Sequence, residues 1–315
     1  MPVNAYTLQI NLSAGDSAYA EWTVPALISA HPDAAERLLI IDACKPQRTH
    51  IVDPAARFPE PAYSARQEKI QALAEHWRAA GLVDRVEVLR PGDALFAQLR
   101  QRYLRPWVRE THDYGGCALL AYLAAFELCR TRWLVHYDAD MLLHQAPGFS
   151  WTEAAIDAAH ADSAIIAATP RPAPPCPGAT DAPSSHERLT MHERPAGWLS
   201  HWFSTRCYLF DVEGLRPLLP LLQGRVYWES VLARLRGRGY PRSPEIMLFR
   251  RLSAARRWRL TLNDRRAWLL HPVRKDAAFV TALPALLAAI TAGTCPDGQR
   301  GRQDLDLTQW NETLR

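Results

Sequence analysis

The sequence predicts an α/β fold with a mixed, mainly parallel central sheet flanked by helices. Three observations predict it. Short strand-like runs at residues 6–11 (YTLQIN), 37–41 (RLLII), 85–89 (RVEVL) and 132–137 (RWLVHY) alternate with segments of helical period, and such alternation builds a sheet covered by helices. The run LLII is apolar at successive positions, as a strand buried on both faces is. A chain of 315 residues, 48% hydrophobic and 22% charged, is long and apolar enough for one large α/β domain.

In chain order, residues 6–11 alternate apolar and polar, the period of a strand. Residues 12–16 form a loop, and a helical stretch then runs to about residue 31, interrupted near Pro25. The second strand, 37–41, delivers Asp42. A helix is predicted over 64–81, with Ile70, Leu73, Ala74 and Trp77 three or four apart and Gly81 as its stop. Strand 85–89 and helix 94–104 follow. Gly115 and Gly116 open a long apolar helix over 117–129, and strand 132–137 ends on Asp138. After a further strand at 164–168 the texture changes: residues 169–183 hold six prolines, so this stretch is a functional loop or a disordered tip. Residues 202–211 read as a strand, 226–236 and 245–255 as helices, and 259–262 and 267–270 as strands, the last ending on His271 and Pro272. A final apolar helix, 279–290, leaves a polar tail expected to be loose. The organisation expected is a main domain over 1–276, divided into halves 1–143 and 144–276 with a Pro-rich loop at 169–197, then a helix and tail over 277–315.

Several classes are set aside. The N-terminus lacks a basic region followed by an apolar run. No segment reaches the roughly 18 consecutive apolar residues of a spanning helix; residues 277–292 come nearest and are interrupted by Pro284. The six cysteines, at 44, 117, 129, 176, 207 and 295, form no C-x-x-C pair, which argues against zinc and a disulfide framework and for a reducing cytoplasm. A net charge of +4 does not indicate nucleic acid. Only Lys45, Lys69 and Lys275 are lysines, which reads as an arginine-biased composition.

The sharpest motif is residues 133–143, WLVHYDADMLL. An apolar strand delivers Asp138 and Asp140 at the point where it ends. Ligands of open α/β sheets sit at the carboxyl ends of strands. Two carboxylates this close need a cation or partner, and oxygen ligands suit Mg²⁺ or Mn²⁺ together with phosphate oxygens.

This Asp-x-Asp at a strand end resembles the GT-A type nucleotide-sugar glycosyltransferases, a likeness spanning residues 6–271 and densest over 113–143. The resemblance implies a metal-dependent transfer of a sugar from a nucleotide-diphosphate donor, UDP being the commonest carrier. It implies that Asp138 and Asp140 hold Mn²⁺ or Mg²⁺ against the diphosphate, with His271 as a third, late ligand. It also implies a donor site at Asn11 and Leu12, Asp42, Asp113, Gly115, Gly116, Asp138 and Ala139. Each has a plainer explanation: a strand-terminal Asp also caps a turn, glycines also serve ordinary turns, and a lone His is often structural.

For an inverting enzyme the resemblance also implies a carboxylate base at a helix start that deprotonates the acceptor hydroxyl. Glu245, after Ser243 and Pro244, is the preferred candidate, with Glu229 as the alternative; neither belongs to the Glu-Asp pair usual in the family. Trp198, Trp202 and Phe203 are candidate acceptor contacts, though aromatics more often pack in cores. Residues 226–276 carry an excess of Arg and Lys over Glu229, Glu245, Asp264 and Asp276. That excess is either a solvated face or an attraction for the diphosphate, an anionic acceptor or the inner face of a membrane. The acceptor stays open among glycan, lipid, protein and small molecule, as does inversion against retention. The competing readings are a haloacid-dehalogenase-like phosphatase using Asp138 and Asp140, against which Leu142 and the mid-chain motif speak, and a non-catalytic nucleotide-sugar or carbohydrate binder. A sugar nucleotidyltransferase is disfavoured because residues 11–16 lack its Gly-rich basic loop.

Overall fold

Alternation along the strands decides which side chains reach which face. In the computed structural model, which describes residues 4–176, 191–238 and 241–314, strand β1 (Tyr6–Ser13) turns Tyr6, Leu8, Ile10 and Leu12 into one core layer. Strand β2 (Glu36–Asp42) sends Leu39 and Ile41 to that layer and Leu38 and Ile40 to a second one on the opposite face, the period-two geometry of a pleated strand. Strands β3 (Arg85–Leu89) and β4 (Trp133–Asp138) complete a parallel half in the order β3-β2-β1-β4.

Helices cover both faces. Helices α1 (Ala20–Ser29) and α3 (Ala62–Ala79) bury Val24, Leu27, Ile70, Ala74 and Trp77 in the first layer; α2 (Pro54–Arg57) is a single turn between β2 and α3. Helices α4 (Ala94–Tyr103) and α5 (Leu120–Leu128) bury Phe96, Leu99, Leu123 and Phe126 in the second. Pro25 is accommodated inside α1 rather than breaking it.

After β4 a tight turn leads into β5 (Leu142–Gln145), then α6 (Trp151–Ala161) and β6 (Ile165–Thr169). Strands β7 (His192–Arg194), β8 (Gly197–Ser200) and β9 (Cys207–Asp211) follow, then the short α7 (Val212–Leu215), α8 (Gly224–Leu235) and α9 (Pro244–Ala255). Strands β10 (Trp258–Leu262) and β11 (Ala267–Pro272) precede α10 (Ala277–Thr291) and β12 (Asp304–Leu305). The large sheet continues from β4 as β9-β6-β10-β8-β7, with β9 antiparallel to both neighbours, and a small sheet runs β12-β11-β5. The expected mixed sheet flanked by helices is therefore the one observed, with the parallel order concentrated in the half containing β1 to β4.

Four expectations are corrected. The strand read at 202–211 is confined to Cys207–Asp211. The apolar helix begins at Leu120 and not at the glycines, because residues 112 and 118 bridge and the amides of Leu119 and Leu120 donate to the Thr111 carbonyl. Residues 12–16 are not an open loop: β1 extends to Ser13, and Ser13 and Asp16 form a reciprocal cap on a 3₁₀ turn. The tail is not loose: Trp310 is fully buried and donates to Gln299, while β12 pairs with β11. Helix α10 joins the first core layer through Phe279, Leu283, Leu286 and Ile290. Part of the Pro-rich loop, 177–190, and residues 239–240 lie outside the described residues. Among the described residues no helix is long and apolar enough to cross a membrane.

Candidate active site

Parallel register brings the carboxyl ends of β1, β2 and β4 to one edge. Asn11 lies opposite Asp138, and Ser13 opposite Asp42. A polar stripe leads there along β1. The buried Gln9 joins His136 Nδ1 at 2.5 Å and donates to Asn11 Oδ1 at 2.9 Å. Asn11 Nδ2 is buried without a partner among the described residues. Leu12 differs in kind, since its side chain is packed in the core.

Asp138 Oδ1 accepts a 2.7 Å hydrogen bond from the Tyr122 hydroxyl, supplied by α5, and lies 3.4 Å from His136 Nε2. Its side chain keeps 24% exposure, while Ala139 is buried. The turn closed by the Met141 amide on the Asp138 carbonyl then buries Asp140. One Asp140 oxygen pairs with the Lys275 ammonium and lies 3.7 Å from His271 Nε2. The other, Oδ1, is buried with no partner among the described residues. Leaving a charged acceptor so is costly, and this oxygen is one that could hold a cation.

The small sheet delivers His271. Leu270 pairs with Leu142 across β11 and β5, and β12 brings Asp304 Oδ1 to 3.7 Å from His271 Nδ1. Burial pushes the His271 imidazole down and the Asp140 charge opposes it. Among the described residues no three His, Cys, Asp or Glu side chains form a ready-made metal cage; Asp140 and His271 converge while Asp138 turns toward Tyr122.

Residues near this edge escaped the sequence reading. Lys275 is one of only three lysines, a rarity that could have flagged it. Asp16 feels the Asp140 charge; burial raises its carboxyl to about 6 while Tyr19 and Ser13 donate to it. His136, two residues before Asp138 on β4, shares its face and was open to local reading; Tyr122 and Asp304 come from elements whose approach no local spacing reveals.

Asp42 is buried, and burial raises its carboxyl to about 6. Its Oδ1 accepts from the Cys44 amide at 2.9 Å, and Oδ2 lies 3.5 Å from His112 Nε2. Burial lowers His112 to about 4, so this close contact involves a neutral ring and is no ion pair at neutral pH. Asp113 Oδ1 accepts from the Gly115 and Cys117 amides at 2.8 and 2.9 Å and so organises its turn. Gly116 sits at φ 80°, where an added Cβ would meet Arg57 at 3.1 Å.

The two glutamates differ sharply. Glu245 stands in the first turn of α9, behind the Ser243 cap and Pro244. Its Oε1 accepts from the Thr205 amide at 2.9 Å, and the Thr205 hydroxyl is 3.3 Å away. It faces a cavity of about 460 Å³ lined also by Met141, Trp202, Ser204, Arg206 and Arg259. Glu229 pairs with Arg225 at 2.7 Å and Arg242 at 3.4 Å, and the Arg225 contact foremost holds its carboxyl low. Trp202 is 41% exposed at the cavity. Trp198 is half-buried, with the Arg171 guanidinium 5.8 Å from its ring. Phe203 is corrected as an acceptor contact: it is fully buried against Tyr208 and Phe210.

Fold and site together define an α/β protein with acidic side chains gathered at the carboxyl edge of its parallel half, beside a cavity holding a glutamate. No protein-family model matches the chain, and no curated protein does. Among solved structures the chain resembles GalNAc-T7 with UDP, GalNAc and Mn²⁺, at 12% identity and TM-score 0.49 over 86% of this chain and 44% of that one. It also resembles mouse xyloside xylosyltransferase 1 in its apo form, at 12% identity and TM-score 0.41 over 82% and 85% of the two chains. A third is S. aureus TarS in complex with UDP, at 11% identity and TM-score 0.40 over 98% and 69%. All three are of the GT-A type that the Asp-x-Asp motif resembles. This chain thus spans less than half of the GalNAc-T7 chain. At such identities and scores the likenesses assign no residue and no chemistry, which rest on the site itself.

Proposed function

We propose that the chain is a metal-dependent glycosyltransferase that moves a sugar from a nucleotide-diphosphate donor to an acceptor hydroxyl. The observation that carries this is the buried, unpartnered Asp140 Oδ1 at the carboxyl edge, with Asp138 two residues away and His271 alongside. That donor set fits a hard divalent cation, Mn²⁺ or Mg²⁺, held by Asp140, His271 and Asp138 with phosphate oxygens completing its shell. When bound, the cation supplies neutralisation of charge on the diphosphate leaving group.

The chain's own groups do the rest. Lys275 neutralises Asp140 and adds a positive charge beside the phosphates. Tyr122 and His136 fix the Asp138 carboxylate. Asn11 Nδ2 and the remaining lone pairs of the Asp42 carboxylate offer a donor and an acceptor to the nucleoside, and the backbone at Gly115 and Gly116 allows close approach. Trp202 gives the cavity an aromatic wall for a sugar face, and Glu245, oriented by Thr205, takes the acceptor proton as the new glycosidic bond forms. A base opposite the leaving group leads to inversion.

The test is a panel of UDP-, GDP- and dTDP-sugars with Mn²⁺, read first as thermal stabilisation and then as release of free nucleoside diphosphate. At least one donor should stabilise the protein and be slowly hydrolysed, and Asp140→Ala should abolish both. Stabilisation without turnover would leave a binder, and no response to any donor would overturn the reading.

A further inference from the structure

Helix α8 carries a face that is left exposed among the described residues. Trp228, Leu232 and Leu235 are 64%, 51% and 79% exposed, and at 3.6 residues per turn they fall within an arc of roughly 60°. The opposite side buries Val226, Ser230 and Ala233. Ile51, 58% exposed, follows His50, which shares with Leu232 a surface pocket of about 360 Å³ lined also by Tyr114, Arg236, Arg238 and Arg242. Arg225 and Arg236 both border the Leu232 edge of the apolar arc, and Arg238 follows the helix. Among the described residues neither Arg236 nor Arg238 pairs with a carboxylate, unlike Arg225 and Arg242 on Glu229 and Arg234 on Glu110.

We infer that this face docks on an anionic lipid bilayer, with Trp228, Leu232, Leu235 and Ile51 entering the headgroup region and Arg236 and Arg238 contacting lipid phosphates. A narrow apolar stripe with the cations Arg236 and Arg238 at its C-terminal end is the pattern of a helix end lying in an anionic membrane interface. A second copy of the chain fits less well, because a two-fold contact would bring the same arginines face to face. Tyr114 and Leu232 line the same pocket, so the face adjoins the Asp113–Gly116 turn. Docking places the site at the lipid surface, where a lipid-anchored acceptor would meet it. The binding itself does not depend on the glycosyltransferase reading.

The test is flotation with phosphatidylcholine vesicles that contain or lack phosphatidylglycerol, at low and high salt, with no donor present. The whole chain should bind the anionic vesicles and release as salt rises. Trp228→Ser with Leu235→Ser, and separately Arg236→Glu with Arg238→Glu, should each weaken binding roughly tenfold or more while leaving nucleotide binding and circular dichroism unchanged. Equal binding to both vesicles, or no binding, overturns the inference. So does unchanged vesicle binding in both variants, and an oligomer that Leu235→Ser dissolves while vesicle binding persists assigns the face to a second copy instead.

Discussion

Asp140 has one oxygen held by Lys275 and the other without a partner among the described residues, whereas Glu229 is neutralised on both sides by arginine. Under the proposed function, this contrast separates a carboxylate with an oxygen left for a ligand from one satisfied at the surface. The same contrast applies to the two candidate bases. Replacing Glu245 by Gln should lower turnover by roughly 100- to 10,000-fold with donor affinity retained. Glu229→Gln removes an exposed ion-pair partner and should change turnover by no more than about twofold; steady-state kinetics of both variants check the pair. A second residue-scale prediction concerns His31, buried between Tyr6 and Tyr137. Burial lowers its imidazole from 6.5 to about 3, so the folded protein keeps it neutral where the unfolded chain takes up a proton. Its contribution is intact above pH 6.5 and is lost toward pH 3, at about 1.4 kcal/mol per pH unit. Asp16 and Asp42, raised from 3.8 to about 6, act in the opposite sense, their contribution falling as pH rises between those values. Urea titrations at pH 7 and pH 5 isolate the His31 share: the wild type should lose roughly 2 kcal/mol more than His31→Gln. Asp138, Asp140, Asp42 and Glu245 were legible as candidates because each lies at or just past a strand end or at a helix start, where local pattern fixes position. Lys275, Tyr122 and Asp304 were not, because they reach the site through pairings between distant elements.

At the scale of elements, the small sheet connects the Asp-x-Asp turn to the C-terminal segment. β5 fixes the turn, β11 brings His271, and β12 adds Asp304. The polar composition of the tail concealed this, since one buried tryptophan and a two-residue strand leave almost no periodic signal. Trp310→Ala should therefore destabilise the protein by roughly 3–5 kcal/mol, measured by urea unfolding. A loose tail would leave the midpoint unchanged. The N-cap Asp276, whose carboxylate accepts from the Phe279 amide at 3.1 Å, is worth about 1 kcal/mol to α10 on replacement by Ala. The helix predicted from Gly115 shows the converse limit. Its apolar run is real, but Asp113 and the Thr111 carbonyl take the first amides, so the chain turns before the helix starts.

Across the whole molecule, parallel pairing sets the carboxyl ends of β1, β2 and β4 along one edge, and the mixed half places the Glu245 cavity next to it. The alternating strands and helices made that architecture readable from the sequence. The antiparallel insertion of β9 between β4 and β6 was not readable, because strand order is settled by tertiary packing. The arrangement gains its meaning if a divalent cation links the Asp140 carboxylate to a diphosphate. Calorimetric titration of UDP, GDP and dTDP into the protein, with Mn²⁺ and with chelator, and into Asp140→Ala, tests this most directly. At least one diphosphate should bind only with Mn²⁺ and weaken at least tenfold in the variant, about 1.4 kcal/mol. Binding of equal strength with chelator present, or unaffected by Asp140→Ala, would contradict the account.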